Sequence, residues 1–272
     1  MVTNAMTQVR VAVLKAPGTN CDQETLHAFR LAGAEAEQVW VQELKEGAKT
    51  LDRYQILAIP GGFSYGDDLG AGKILASEMQ HRLGDQLRKF LARETLTIGI
   101  CNGFQMMVKA GILPGGKLGA APEATLTWND SGKFEDRWTY LSGEFNVCVW
   151  TQGMDATFEL PVAHAEGKFL PRDPTVLEQM LGFGQIVFHY TDPQGRPAGY
   201  PWNPNGSAEG IAGICDPSGR IFGLMPHPER HVAATQHPRW TREGRSGEGE
   251  GLQIFRNGVQ WAAKRGIDGR RD

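Results

Sequence analysis

The chain has 272 residues, 40% hydrophobic and 22% charged, with a net charge of −3, a composition that fits a soluble globular protein of one large α/β domain or two small ones. No long basic run marks a nucleic-acid groove, no apolar stretch reaches the roughly 18 residues of a membrane span, and the opening "MVTNAMTQVR" lacks the apolar core of a secretory signal. The four cysteines, Cys21, Cys101, Cys148 and Cys215, form no CxxC pair, which speaks against zinc and, with the missing signal, for reduced thiols in the cytoplasm.

"VRVAVLK" (9–15), closed by "APGTN", predicts a first strand and a loop. Asn20 is placed to cap a helix through "CDQETLHAFRLAG", with Gly33 as its stop. "AEQVWV" reads as a second strand and "YQILAIPGG" (54–62) as a third, nearly all apolar, as expected of a strand covered on both faces. Helices are predicted within "AGKILASEMQHRL" and "GDQLRKFLARE", then a strand in "LTIGI" and a helix in "FQMMVKAG". Strand and helix alternate through this half, which predicts a parallel sheet with helices on both faces. The second half is less regular. "EATLTWNDSGKFEDRW" predicts a hairpin around Asn129–Gly132, and "GEFNVCVW", "FELPVAH" and "QIVFHY" read as further strands. "GIAGICDPSGRIFGLMPHPE" predicts two strands around a D-P-S-G turn. "HPRWTREGRSGEGEG" (237–251) reads as a mobile loop, "LQIFRNGVQWAAKR" (252–265) as a closing helix and "GIDGRRD" as a loose tail. With no repeat and no linker, a single domain over 1–272 is expected.

"TIGICNGFQ" sets Cys101 between Gly99 and Gly103 where a strand turns into a helix. A residue at such a turn is thrust out of the sheet, and small neighbours let the backbone pass close to itself, as in the G-x-S-x-G elbow with sulfur in place of oxygen. The N-terminus of the following helix favours negative charge at the sulfur, and the N–H of Asn102 can point at an oxyanion. The plain alternative is a small buried cysteine in a βα turn. A base elsewhere would decide, and two H-x-E stretches offer one: His227 and Glu229 in "GLMPHPERH", His164 and Glu166 in "VAHAEGKF". Residues two apart in an extended backbone share a side, so either glutamate could orient its histidine and raise its basicity. The 227 pair has the better context. It follows an apolar strand, is stiffened by Pro226 and Pro228, and strand ends are where ligands gather in open α/β sheets.

The glycines of "IPGGFSYGDDLGAG" (59–72) let backbone N–H groups approach a bound carbonyl; a phosphate loop does not fit, because Gly72-Lys73 is followed by Ile74. Cys21, also between a strand and a helix but without close flanking glycines, is the rival nucleophile. Cys148 and Cys215 read as packed strand residues, His231 and His237 as solvated loop residues, and Met106 and Met107 as core.

In their order and spacing, "PGGFSYGD", "GICNGFQ" and "PHPER" resemble the class I glutamine amidotransferases. "APGTNCDQET" and "YPWNPNGSAEGIAGICD" (200–216) are similar, more narrowly, to the glutaminase subunits of phosphoribosylformylglycinamidine synthase, and the matching motifs run from residue 11 to 231. The resemblance implies a flavodoxin-like, open, mostly parallel sheet with helices on both faces. It implies Cys101 as nucleophile, His227 as base and Glu229 as its orienter. It further implies an oxyanion hole from backbone N–H groups near Gly62 and Phe63 with that of Asn102, and contact between Gln105 and the substrate L-glutamine. No metal or cofactor is implied in this chain. ATP and Mg²⁺ are expected on a partner synthetase subunit that receives the ammonia, and a small accessory subunit is expected in the complex. The chain is longer than compact members, with extra length in 120–145 and 230–250 that would serve as partner contacts or lids. Two other readings remain open: a stand-alone cysteine hydrolase or peptidase-like enzyme of similar fold, and a non-catalytic binding module.

Overall fold

The computed structural model describes residues 8–67, 70–143 and 146–265; the tail expected at 266–272 lies outside them. In the first half the expected strands form as β1 (Arg10–Lys15), β2 (Glu35–Trp40), β3 (Ile56–Ile59) and β4 (Leu96–Ile100). Between and after them come helices α1 (Asp22–Leu31), α2 (Val41–Lys45), α3 (Lys73–His81), α4 (Gly84–Ala92) and α5 (Asn102–Lys109). The second half adds β5 (Ala124–Thr127), β6 (Glu135–Ser142), β7 (Thr157–His164), β8 (Lys168–Pro171), α6 (Pro174–Gly182), β9 (Ile186–Thr191), β10 (Ile211–Cys215), β11 (Ile221–Leu224), α7 (Trp240–Glu243) and α8 (Leu252–Lys264).

Among the described residues nine strands form one sheet in the order β2-β1-β3-β4-β11-β10-β9-β6-β7. The pairs from β2 to β11 are parallel and those from β11 to β7 antiparallel. The parallel block has the flavodoxin-like order expected of the α/β class, and an antiparallel wing continues it. Every residue of β3, β4 and β11 is buried, as strands at the centre of a covered sheet require. Among the described residues no helix is long and apolar enough to cross a membrane.

Four expectations change. The strands flanking Asn129–Gly132 do not pair as a hairpin: β5 pairs with β8 in a separate two-stranded sheet, and β6 joins β7 and β9. The turn itself exists, with Gly132 N–H donating to Asn129 O at 2.9 Å. The Asn129 side chain, however, binds the 164–167 segment, donating to His164 O at 2.8 Å and accepting from Gly167 N–H at 2.9 Å, so the chain changes sheets there. Within "GEFNVCVW" the described part is no strand but a 3₁₀ turn over Val149–Thr151. Its apolar bulk seats Trp150 against Phe29 at 6.5 Å and under α8, whose Asn257 donates to Trp150 O at 2.9 Å. At the start of α1 the cap position belongs to Cys21, and Asn20 Oδ1 accepts from its sulfur at 3.2 Å. Finally, the stretch 237–251 contains α7 and is anchored: Arg239 and Arg245 donate to the buried carboxylate of Glu159 at 2.7 and 2.6 Å. His237 is fully buried there and His231 nearly so, rather than solvated.

Candidate active site

Cys101 occupies the position between β4 and α5, with φ 50° and ψ −105°. A non-glycine residue at positive φ is strained and is held there only when its surroundings over-determine it. Two glycines supply that constraint. A Cβ on Gly103 would overlap the Ile59 carbonyl of β3, and one on Gly99 would overlap the Met107 sulfur of α5. The helix therefore lies hard against the sheet, and the sulfur emerges beyond the strand end. Cys101 N–H donates to Leu224 O at 2.8 Å, and the sulfur lies 3.7 Å from Ala163 O.

The neighbour on that side is β11, parallel to β4 with Gly223 opposite Gly99 and Leu224 opposite Ile100. His227 follows three residues after its end, so two segments far apart in the chain meet at one sheet rim. His227 N–H donates to Pro161 O at 2.8 Å, and its Nδ1 pairs with Glu229 Oε1 at 2.6 Å. Both residues are buried. The alignment comes from the 3₁₀ turn Pro228–Arg230, not from the extended backbone that the spacing brings to mind. His227 Nε2 is buried without a hydrogen-bond partner, and the ring shares its pocket with Cys101 and Cys21. Burial opposes a charge on this ring, but the Glu229 carboxylate and the two sulfurs outweigh it and hold the imidazole well above its ordinary value.

The second H-x-E is built differently. His164 Nδ1 is bonded to Asn129 Oδ1 at 3.1 Å, while the Glu166 carboxylate turns to Ala71 N–H at 3.4 Å and Lys109 at 3.7 Å. Burial, with the charge of His227 added, pushes the His164 ring down to about 3. It is a neutral structural histidine without a carboxylate orienter.

On the other side of β4, the end of β3 runs into Gly61 and Gly62. Gly62 has φ +142°, and a Cβ there would lie 2.7 Å from Asn20 N. Phe63 was expected among the oxyanion donors, but its N–H is taken by Gly18 O at 3.0 Å; its ring lines the pocket instead. Asn102, as the first residue of α5, has an N–H with no carbonyl inside the helix to bind. Its side chain braces the loop, accepting from Ser64 N–H at 3.3 Å and donating to Asp67 at 3.1 Å and Gln105 Oε1 at 3.2 Å. Gln105 lines the same pocket, and its Nε2 donates to Glu166 O at 2.6 Å.

Cys101 and His227 lie in a pocket of about 710 Å³ that also takes in Gly62, Asp67, Glu166 and Arg230. Trp128 and Phe134, both exposed, form part of its wall; they come from the segment 120–145. Asp67, whose carboxyl burial raises against hydrogen bonds from Gly72 and Asn102, and Arg230 end the stretches "PGGFSYGD" and "PHPER", but neither was expected at the site. The Cys21 sulfur also reaches this pocket. Cys21, His227 and Glu229 offer ligand atoms within 4.8 Å of one another, yet Arg230 Nη2 donates to that sulfur at 3.1 Å, and a guanidinium there does not suit a bound cation.

Residues 8–262 match the family model of the CobB/CobQ-like glutamine amidotransferase domain. The chain is 52% identical over 259 residues to the phosphoribosylformylglycinamidine synthase subunit PurQ of Dehalococcoides mccartyi, covering 94% of this chain and 99% of that one. To the PurQ subunit of Methanococcus maripaludis it is 41% identical over 269 residues, covering 94% and 98%. Among solved structures it is similar to PurLQS from Thermotoga maritima, with a TM-score of 0.72 and 30% identity over 94% of this chain and 99% of that chain.

Proposed function

The chain belongs to the CobB/CobQ-like glutamine amidotransferases and, within them, to the PurQ glutaminase subunits of phosphoribosylformylglycinamidine synthase in purine biosynthesis, and from that premise we propose that Cys101, His227 and Glu229 carry out its glutamine hydrolysis. The carrying observation is the 2.6 Å bond from His227 Nδ1 to Glu229, which leaves Nε2 for the Cys101 sulfur in the same pocket.

The sulfur attacks the side-chain amide carbon of glutamine as its proton passes to His227 Nε2. The carbonyl oxygen becomes an oxyanion between the N–H groups of Gly62 and Asn102; losing one donor from such a hole costs about 10²–10³ in rate. The imidazolium, favoured by Glu229, protonates the departing ammonia and leaves a γ-glutamyl thioester. Water, deprotonated by the same Nε2, then releases glutamate and restores the thiol. Gln105 and Phe63 contact the substrate from the pocket wall.

The ammonia passes to the synthetase subunit, where ATP and Mg²⁺ activate the formylglycinamide ribonucleotide carbonyl, and a small accessory subunit completes the complex. The chain acts as one glutaminase domain, supported by a single sheet that carries all three groups. Its four unpaired, buried cysteines support a reducing, cytoplasmic setting. Cys101→Ala is expected to abolish glutamine-fed synthesis by the complex while sparing synthesis fed with ammonium salts. Equal loss of both would refute this division of labour. An adduct of a diazo-ketone glutamine analogue on Cys101 separates the assignment from a non-catalytic module, and ammonia release from glutamine separates it from a peptidase.

A further inference from the structure

A second thiol stands at the catalytic imidazole, and the hydrolytic mechanism makes no use of it. Cys21 is buried, 1% exposed, and its backbone N–H donates to Gly61 O at 3.2 Å, which ties the start of α1 to the loop after β3. Its sulfur donates to Asn20 Oδ1 at 3.2 Å and accepts from Arg230 Nη2 at 3.1 Å. That sulfur, a ring nitrogen of His227 and a Glu229 oxygen all lie within 4.8 Å of one another. Gly61 defines the space between the two cysteines. A Cβ built on it would sit 3.2 Å from Cys21 Sγ, 3.4 Å from Cys101 Cβ and 2.8 Å from His227 Cε1. The Cys21 sulfur is therefore no farther from the Cys101 Cβ than those two contacts laid end to end, with the His227 ring against the same point. Both cysteines line the same open pocket, so a small oxidant that reaches one reaches the other.

We propose that Cys21 is a resolving thiol for the nucleophile: when a peroxide oxidises Cys101, Cys21 closes a disulfide on it and keeps it recoverable. The inference rests on the reading of Cys101 as nucleophile. In the first step the Cys101 sulfur attacks one peroxide oxygen; an S–O bond forms, the O–O bond breaks, and the thiol proton leaves with the other oxygen as water. The sulfur has lost two electrons, the peroxide has gained them, and Cys101 is a sulfenic acid. In the second step the Cys21 sulfur attacks the Cys101 sulfur. An S–S bond forms, the S–O bond breaks, and the departing hydroxide takes the Cys21 proton to become a second water. His227 Nε2, in the same pocket as both sulfurs, relays that proton, and Arg230 supplies the donor that an attacking thiolate needs. Without a second thiol the sulfenic acid proceeds to sulfinic acid, which a thiol reductant does not reverse.

The test treats the full chain, in complex with its synthetase, with hydrogen peroxide and then dithiothreitol, reading glutamine-fed activity and the peptide masses. The wild type is expected to give a Cys21–Cys101 cross-linked peptide and to regain most of its activity. Cys21→Ser and Cys21→Ala are expected to accumulate Cys101 sulfinic acid and to recover roughly tenfold less of their own starting activity. Absence of the cross-linked peptide in the wild type, or equal recovery in the variants, overturns the proposal. The wild-type peptide map decides the matter even if a variant folds poorly. Labelling the untreated complex with a diazo-ketone glutamine analogue keeps the two readings apart. An adduct on Cys101 without any cross-link after peroxide defeats only the resolving role; an adduct on Cys21 instead defeats the assignment of the nucleophile.

Discussion

Glu229 engages His227 through Nδ1 and so leaves Nε2 as the ring nitrogen that serves the sulfur. Removing the carboxylate takes away the strongest influence raising the ring's proton affinity, while burial, which lowers it, remains. Glu229→Gln is therefore expected to cut glutamine-fed kcat by about 10²–10⁴-fold and to move the acid limb of its pH profile, which the neutral base sets, to lower pH, measured on the complex. His227→Ala is expected to be far more damaging to glutaminase turnover than His164→Ala, since His164 has Asn129 rather than a carboxylate for a partner; the opposite ranking would move the base. At this scale much was legible. A cysteine between two glycines and an H-x-E after a strand are local patterns, and local patterns survive in a sequence. Arg230 and the closeness of Cys21 to His227 were not, because they depend on loops from opposite ends of the chain arriving at one rim. Phe63 misled for a related reason: a glycine-rich loop announces available N–H groups without saying which of them the Gly18 carbonyl will claim.

The junction of β4 and α5 depends on closeness that only glycine permits. Gly103→Ala drives a methyl into the Ile59 carbonyl and is expected to cost about 1–3 kcal/mol, read as a lower Tm, together with loss of glutamine-fed turnover as the sulfur is displaced. The segment over β7 depends on Glu159, which receives Arg239 and Arg245. Glu159→Gln is expected to cost about 1–3 kcal/mol and to open 237–251 to limited proteolysis. The β1–α5 alternation was readable because β3 and β4 are short, buried, mainly apolar runs, β1 has an apolar centre and β2 sets Ala36 and Val39 among polar residues, and turn residues separate them from the helical stretches. The region 120–150 was not. Its turn residues signalled a reversal correctly, but β5 and β6 pair with strands from later in the chain, and pairing partners leave no trace in local pattern. The charged, glycine-rich stretch 237–251 has the composition of a loose loop, and only the distant Glu159 makes it an anchored one.

Over the whole molecule, acid should be destabilising. Burial, first among the influences, holds His164, His231 and His237 below the ordinary 6.5. As pH falls below 6.5 the unfolded chain takes up protons that the native state refuses, so stability drops. His164, at about 3, accounts for roughly 2 kcal/mol of that loss by pH 5. His227 gives no relief in this window, because the stability from its raised value is already complete below 6.5 and is lost only as pH rises through its folded value. Asp67 and Glu250, both raised chiefly by burial, take up protons early in the native state and offset part of the fall. A lower Tm at pH 5 than at pH 7, with a shallower difference in His164→Gln, is the expected result. The placing of β11 between β4 and β10 has a further outcome for biosynthesis. That strand is the last of the sheet to leave the ribosome, yet it fills a slot at the centre and delivers the imidazole. Until it arrives, a nascent chain has the Cys101 turn but neither the central strand beside β4 nor His227, so on the proposed reading the cleft is expected to gain its base only when the sheet closes.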